Sequence, residues 1–427
     1  MGDWYDEFVD ESYSPSREDL IVLFRLQPST GFSIREAAGR VASESSIGTW
    51  TTVRTMRPRI RRLMAKAYRI QGNHVKVAYP AELFEPGNMP QIMSSIAGNI
   101  FGMKAVQHVR LENLRWPKKL LRSFQGPGLG IRGLRKLFRV YDRPLTATVV
   151  KPKLGLTALE HAKAGYDAWV GGIDLLKDDE NLSSQKFNKF QQRVKLTYQM
   201  RDKAEKETGQ VKSYLINVTA ETSEMIKRAK LVKKHGGEIV MVDILTVGWA
   251  ALQTMRTVCG DLGLAIHAHR AFHAAFTRNR EHGMSMLAVS DVARAIGVDL
   301  LHIGTVIGKL ESPKEEVLAL RNNLQQQSFN QSSNLDQDWN GIKPVFPVSS
   351  GGLHPGLVPS IIDLLGTDIV IQAGGGVWGH PNGGRAGACA LRQAIDASLS
   401  GIELRAYAET HSELREALKT WGERTFT

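Results

Sequence analysis

Residues 171–181, GGIDLLKDDEN, set an apolar run directly before Lys177, Asp178, Asp179 and Glu180. Packed carboxylates repel one another, so a chain that keeps three in a row either holds a cation among them or turns them toward water. On an extended segment alternate side chains share a face, which groups Lys177 with Asp179 and sends Asp178 the other way. Glu180 lies just beyond, where a turn brings its carboxylate back toward the same place. Oxygen ligands without Cys or a close His pair point to a hard ion, Mg²⁺. Lysine cannot ligate as an ammonium. A neutral Lys177 amine that captured CO₂ as a carbamate would supply an anionic oxygen and remove the charge conflict.

Other reactive side chains recur at the ends of apolar runs. Lys151 and Lys153 follow one run, His267, His269, Arg270 and His273 another, and His302 and Lys309 a third. Two further runs end in SSGG (349–352) and QAGGG (372–376). Bare backbone N–H groups in such glycine stretches approach an anion closely, although either stretch alone is more often just a turn. Arg270 with His302 could hold a second anion, since a guanidinium suits bidentate phosphate binding. Two separated anion sites imply a bisphosphate. His267 and His273 rank lower, because a single buried histidine is more often structural.

These groups need a scaffold that brings run ends together. From about residue 145 the chain alternates short apolar runs with amphipathic helices: LTATVV, GGIDLL, SYLINVTA, EIVMVDIL, LAIHAH, DLLHIGTV, KPVFPVSS and DIVIQAGG. Thr157 with Glu160 forms a capping box between the first two, and Ser312, Pro313 and Glu315 open a helix after the sixth. Eight such units predict a (β/α)8 TIM barrel, whose chemistry sits in the loops after the strands. Ahead of it, a strand over 19–28, a helix opened by the Ser33/Glu36 capping box, strands over 50–56, 65–70 and 74–79, and a helix over 90–102 predict a smaller α+β domain. The Gly-rich basic stretch 123–136 reads as the connection, giving an N-terminal α+β domain over 1–126 and a barrel over 127–427.

The 427 residues, 42% of them hydrophobic and 23% charged, have ordinary globular composition. No apolar window is long enough for a bilayer and the acidic start MGDWYDEFVDES lacks signal-peptide character, so a soluble cytoplasmic protein with no membrane partner is expected. Cys259 and Cys389 are too few and too far apart for a disulfide framework or thiolate metal site. The formal charge of +12 suits either a nucleic-acid binder or attraction of a multiply anionic small substrate. The densest basic run, RPRIRRLMAKAYR (57–69), carries no nucleic-acid module and reads as a solvated face, so no nucleic-acid partner is expected.

In order and spacing, ESSIGTW, KPKLGL, GGIDLLKDDEN, HAHRAFH, HIGTVIGKLE, SSGG and GGGVWGHP resemble the large subunit of ribulose-1,5-bisphosphate carboxylase/oxygenase, RuBisCO, along nearly the whole chain. The resemblance implies that Lys177 becomes a carbamate that binds Mg²⁺ with Asp179 and Glu180. It gives Lys151 to proton abstraction and later protonation, Lys153 to orientation of groups at the metal, and His269 to proton transfer at a substrate hydroxyl. Arg270 and His302 would bind one phosphate, Gly374 and Gly375 the other. Ser350 and Gly352 would contact the substrate, and Lys309 would stabilise the added CO₂. Glu44, Thr49, Trp50 and Asn99 would complete the site from the partner chain of a homodimer, in which dimers could assemble further. The residues themselves mark Thr49 and Trp50 only as a strand start and Asn99 only as a helix residue.

The implied reaction is Mg²⁺-dependent enolisation of ribulose 1,5-bisphosphate, addition of CO₂ or O₂, hydration and carbon–carbon cleavage to two 3-phosphoglycerates. Ile303 departs from the small or polar residue usual after His302. The chain is shorter at both ends than plant-type large subunits, which favours a form without small subunits, archaeal-type form III or form II/III-like. A RuBisCO-like enolase or isomerase is the alternative, and retention of Lys151, His302, Lys309 and Ser350 counts against it.

Overall fold

The computed structural model describes residues 3–307, 313–329 and 335–423. They pack as two compact units, one formed by residues 1–126, 272–296 and 326–342, the other by residues 127–271, 297–325 and 343–427.

The second unit is a closed barrel of eight parallel strands: β1 (Leu145–Val149), β2 (Leu175–Lys177), β3 (Ser213–Asn217), β4 (Ile239–Asp243), β5 (Ala265–His269), β6 (Leu300–Gly304), β7 (Phe346–Ser350) and β8 (Val370–Ala373). Each strand pairs with its sequence neighbours, and β8 closes on β1 through Val370–Leu145 to Ala373–Thr148. All eight predicted runs form these strands. The alternation of side chains explains how one sequence builds both core and site. Leu145 and Ala147, Leu175, Ile239, Ala265, Leu300, and Phe346 and Val348 fill the interior with Leu215 and Val370. Continuing the same inward phase toward the strand ends gives Lys177, Asp243, His267, His269, His302 and Ser350.

The stretch read as a connection runs into a nine-residue helix, Gly130–Phe138. Its Ile131, Leu134 and Phe138 join the interior residues at the N-terminal ends of the strands. The helix therefore covers that end, which leaves the C-terminal end for polar side chains. Gly130 and Gly133 disguised it as a linker, whereas apolar residues at i, i+3 and i+7 form its buried face. The Thr157/Glu160 capping box opens the helix Ala158–Val170. The helix after β6 runs Lys314–Gln325, with Ser312 outside the described residues.

The first unit is a five-stranded sheet in the order Gly283–Met284, Val106–Arg115, Leu20–Pro28, His74–Tyr79, Lys66–Gln71. Ser33 and Glu36 form the predicted capping box of the helix Ile34–Glu44. Two expectations fail. Residues 50–56 are bends and turns rather than a strand, and Trp50 is 82% exposed. Their β-branched composition suits a strand, but strand propensity is realised only against a neighbour, and the place beside Leu20–Pro28 is taken by Val106–Arg115. The helix expected over 90–102 runs Met89–Ala97 and stops at Gly98, beyond which Asn99–Gly102 form a 3₁₀ turn. The later segments are held in this unit by Asn113, which donates to Asp291 at 3.2 Å and accepts from the Leu335 backbone at 3.0 Å. Trp116 N donates to Gln337 at 2.7 Å, and the Arg294 guanidinium lies 4.2 Å over the Trp339 ring.

Candidate active site

At the C-terminal end of β2, Lys177 is buried, its Nζ donating to the Asp178 carbonyl at 2.7 Å and lying 3.8 Å from Glu180 Oε2. Burial pushes the ammonium below its usual range, against the opposing pull of Glu180, Asp179 and Asp243. Asp179 accepts from Lys151 Nζ at 2.9 Å and from the backbone and side chain of Asn181 at 3.2 and 3.0 Å. Burial works to raise its pKa, but these bonds outweigh it and hold the carboxyl below the usual range. Asp178 points away from the mouth, as its facing predicts, into a fully buried set of donors.

Glu180 also faces β5, with His269 Nε2 3.6 Å from its Oε2. The other ring nitrogen of His269, Nδ1, meets Asp243 Oδ1 at 2.8 Å. His302 on β6 bonds Ser350 Oγ through Nδ1 at 2.7 Å and His267 Nε2 through Nε2 at 2.9 Å. The His302 ring also stands edge-on to those of His267 and His269, with centroids 4.8 and 4.9 Å away. Burial holds His267 and His302 well below the usual histidine range, so both are neutral at neutral pH. Arg270 is half-buried, and desolvation lowers its guanidinium to about 10, which leaves it cationic. Gly374, after β8, has no room to spare: a Cβ there would lie 3.4 Å from Lys151 Cε and 3.1 Å from Val149. Gly352 has φ 72°, a conformation glycine takes without strain.

Thus Lys151, Lys177, Asp179, Glu180, His269, His302, Ser350 and Gly374 stand at one end of the barrel, linked pairwise. Lys153 is exposed on the loop after β1, and Gly375 is exposed beside Gly374. Lys309 lies outside the described residues. In the first unit, Asn99 Nδ2 donates to Glu44 Oε1 at 3.1 Å, while the Thr49 carbonyl accepts from Trp4 Nε1 at 2.9 Å. His273, also there, bonds Thr277 at 2.9 Å within its own short helix.

Sequence reasoning passed over Asp243, although it ends the strand Ile239–Asp243 in the inward phase, and gave no sign of the bond by which His267 carries the His302 ring. The set around Asp178, namely His161, Arg193 and Tyr214, gave no signal at all, because it is assembled from three separate elements.

Comparison with known proteins supplies the family. Residues 130–421 match the ribulose bisphosphate carboxylase large chain, catalytic domain, and residues 7–120 its N-terminal domain. A ribulose bisphosphate carboxylase of Pyrococcus abyssi is 52% identical over 424 residues, 98% of this chain and 97% of the relative. Among solved structures, a dimeric archaeal Rubisco from Hyperthermus butylicus aligns with a TM-score of 0.94 at 49% identity, covering 98% of this chain and 99% of that one. An octameric Rubisco from Pyrococcus horikoshii OT3, in complex with sulfate, gives 0.93 at 51% identity, covering 98% and 97%. With nearly every residue matched to both domains of the family and the barrel and its smaller companion present, the chain belongs to the ribulose bisphosphate carboxylase large-chain family.

Proposed function

We propose that this end of the barrel carboxylates ribulose 1,5-bisphosphate, with Lys177 carbamylated by CO₂ and Mg²⁺ held by that carbamate, Asp179 and Glu180. The chain is a carboxy-lyase of its family, and the names of its relatives support carboxylation over the enolase or isomerase alternative. Lys177 carries the finer reading. It is a buried amine 3.8 Å from a carboxylate, driven toward the neutral form that reacts with CO₂. The donor set fits the ion, because a hard divalent cation prefers several anionic oxygens and the modified lysine adds one to two neighbouring carboxylates.

When bound, Mg²⁺ polarises a substrate carbonyl and its neighbouring hydroxyl, lowering the cost of an enediolate. Lys151 takes the substrate proton and later returns one, its Nζ already fixed on Asp179. His269, held by Asp243, moves the hydroxyl proton. Arg270 and His302 hold one phosphate, Gly374 and Gly375 the other, and Ser350, bonded to His302, contacts the sugar with Gly352. Lys153 orients groups at the metal. Lys309 neutralises the carboxylate that forms on addition of CO₂. The same enediolate accepts O₂.

Glu44, Thr49, Trp50 and Asn99 enter from the partner in a homodimer, a role that suits the exposure of Trp50. Dimeric and octameric assemblies of relatives favour self-assembly without small subunits. No helix among the described residues is long and apolar enough to cross a membrane, and we assign the protein to the cytoplasm. The test mixes purified protein, Mg²⁺, labelled bicarbonate and ribulose bisphosphate and measures label in 3-phosphoglycerate. Label no higher than in Lys177→Ala overturns the reading.

A further inference from the structure

We propose that Asp178 is a positioning residue that sets the Lys177–Glu180 segment for metal binding, acting through a buried network with His161, Arg193, Tyr214 and Asn217. The inference rests on the reading of Lys177, Asp179 and Glu180 as metal ligands.

Asp178 is fully buried, lies between two of those residues and points the opposite way. A buried carboxylate persists only if its charge and lone pairs are met. Here Oδ1 accepts from the Tyr214 hydroxyl and faces His161 Nε2 at 3.1 Å, while Oδ2 accepts from Arg193 Nε at 3.2 Å and Asn217 N at 3.0 Å. The partners come from the helix Ala158–Val170, the helix Phe190–Thr208 and β3, so one side chain ties the end of β2 to three elements.

The same partners also grip the main chain beyond it. Asn217 Nδ2 donates to the carbonyls of Glu180 and Leu182 at 3.0 and 3.2 Å. The Arg193 guanidinium, fully buried, donates to the Ser183 carbonyl at 2.8 Å and to Asn188 Oδ1 at 3.1 Å. Asp178 N donates to the Leu215 carbonyl at 3.1 Å. Residues 178–183 are therefore fixed from behind, and the Arg193 charge answers the one carboxylate of the three that does not face the mouth. Arg193 and Tyr214 are both fully buried. Outer groups of this kind set ligand orientation, and their loss commonly weakens metal affinity about 10- to 100-fold.

The experiment measures trapping of labelled CO₂ on Lys177 against Mg²⁺ concentration for wild type, Asp178→Asn and Tyr214→Phe, with circular dichroism and thermal unfolding alongside. Asp174→Asn, which disturbs a buried ion pair at the other end of β2, controls for loss of stability. The expected result is a rise of about tenfold or more in the Mg²⁺ concentration for half-maximal trapping in both network variants, and none in Asp174→Asn. Tyr214→Phe deletes one hydroxyl at constant shape, and its curve decides alone if Asp178→Asn does not fold. Wild-type trapping with a coincident Tyr214→Phe curve overturns the positioning role and leaves the ligand reading intact. Absence of trapping in wild type overturns both.

Discussion

His269 is gripped on one side by Asp243 and faces Glu180 on the other. A charged acceptor at Nδ1 fixes which ring nitrogen is free for proton transfer. Asp243→Asn keeps the shape but removes that charge, and we expect proton exchange from ribulose bisphosphate to fall by about tenfold or more while unfolding is little changed. Lys309→Ala separates later chemistry from earlier: proton exchange should persist while label in 3-phosphoglycerate is lost. If both persist, Lys309 does not stabilise the added CO₂. The opposite facing of Lys177 and Asp178 was legible from sequence because the charged residues are adjacent and alternation along an extended segment dictates which side each takes. Asp243 and Tyr214 were not, since their meaning comes from neighbours 26 and 36 residues away.

The eight barrel strands were readable because each combines an apolar run with a helix of a different period, whereas the Gly130–Phe138 helix was hidden by its glycines. Leu134, fully buried beneath the strands, tests its place as a plug. Leu134→Ala should cost about 3 kcal/mol in denaturant unfolding without shifting the Mg²⁺ dependence of trapping at the opposite end. At this lower end Arg143 forms a bidentate pair with Asp174 at 2.6 and 2.8 Å, and Lys212, just before β3, donates to the Ile173 carbonyl and Gln210 at 2.9 Å each. Burial lowers Lys212 to about 8, against the pull of Asp174. The folded state thus releases this proton at lower pH than the unfolded chain does. Stability from this group is absent below about pH 8 and grows as pH rises toward the unfolded value. Wild type should gain about 1.5 kcal/mol relative to Lys212→Met between pH 8 and 9.5, read by urea unfolding at each pH.

Over the whole molecule the formal charge is +12, and Arg54, Arg57, Arg59 and Arg62 are exposed with no carboxylate in ion-pair range among the described residues. For a bisphosphate substrate such a field raises the encounter rate. We expect kcat/KM to fall severalfold as ionic strength rises from about 0.05 to 0.3 M, with kcat nearly constant, and the four-fold Arg→Gln variant to lose much of that slope. The first unit is completed by residues 272–296 and 326–342, far along the chain from its early strands. Asn113 and Trp116 depend on Asp291, Leu335 and Gln337 for their hydrogen bonds. On the ribosome, then, the first unit cannot finish when its own early strands emerge. It must wait for roughly 200 more residues, about 10–40 s at ordinary elongation rates. During that interval the edge of Val106–Arg115 that later receives Gly283–Met284 stands open. Nascent chains halted near residue 130 should accordingly be bound by chaperones and cut readily by protease, and released full-length chains, with the barrel also closed, should resist both.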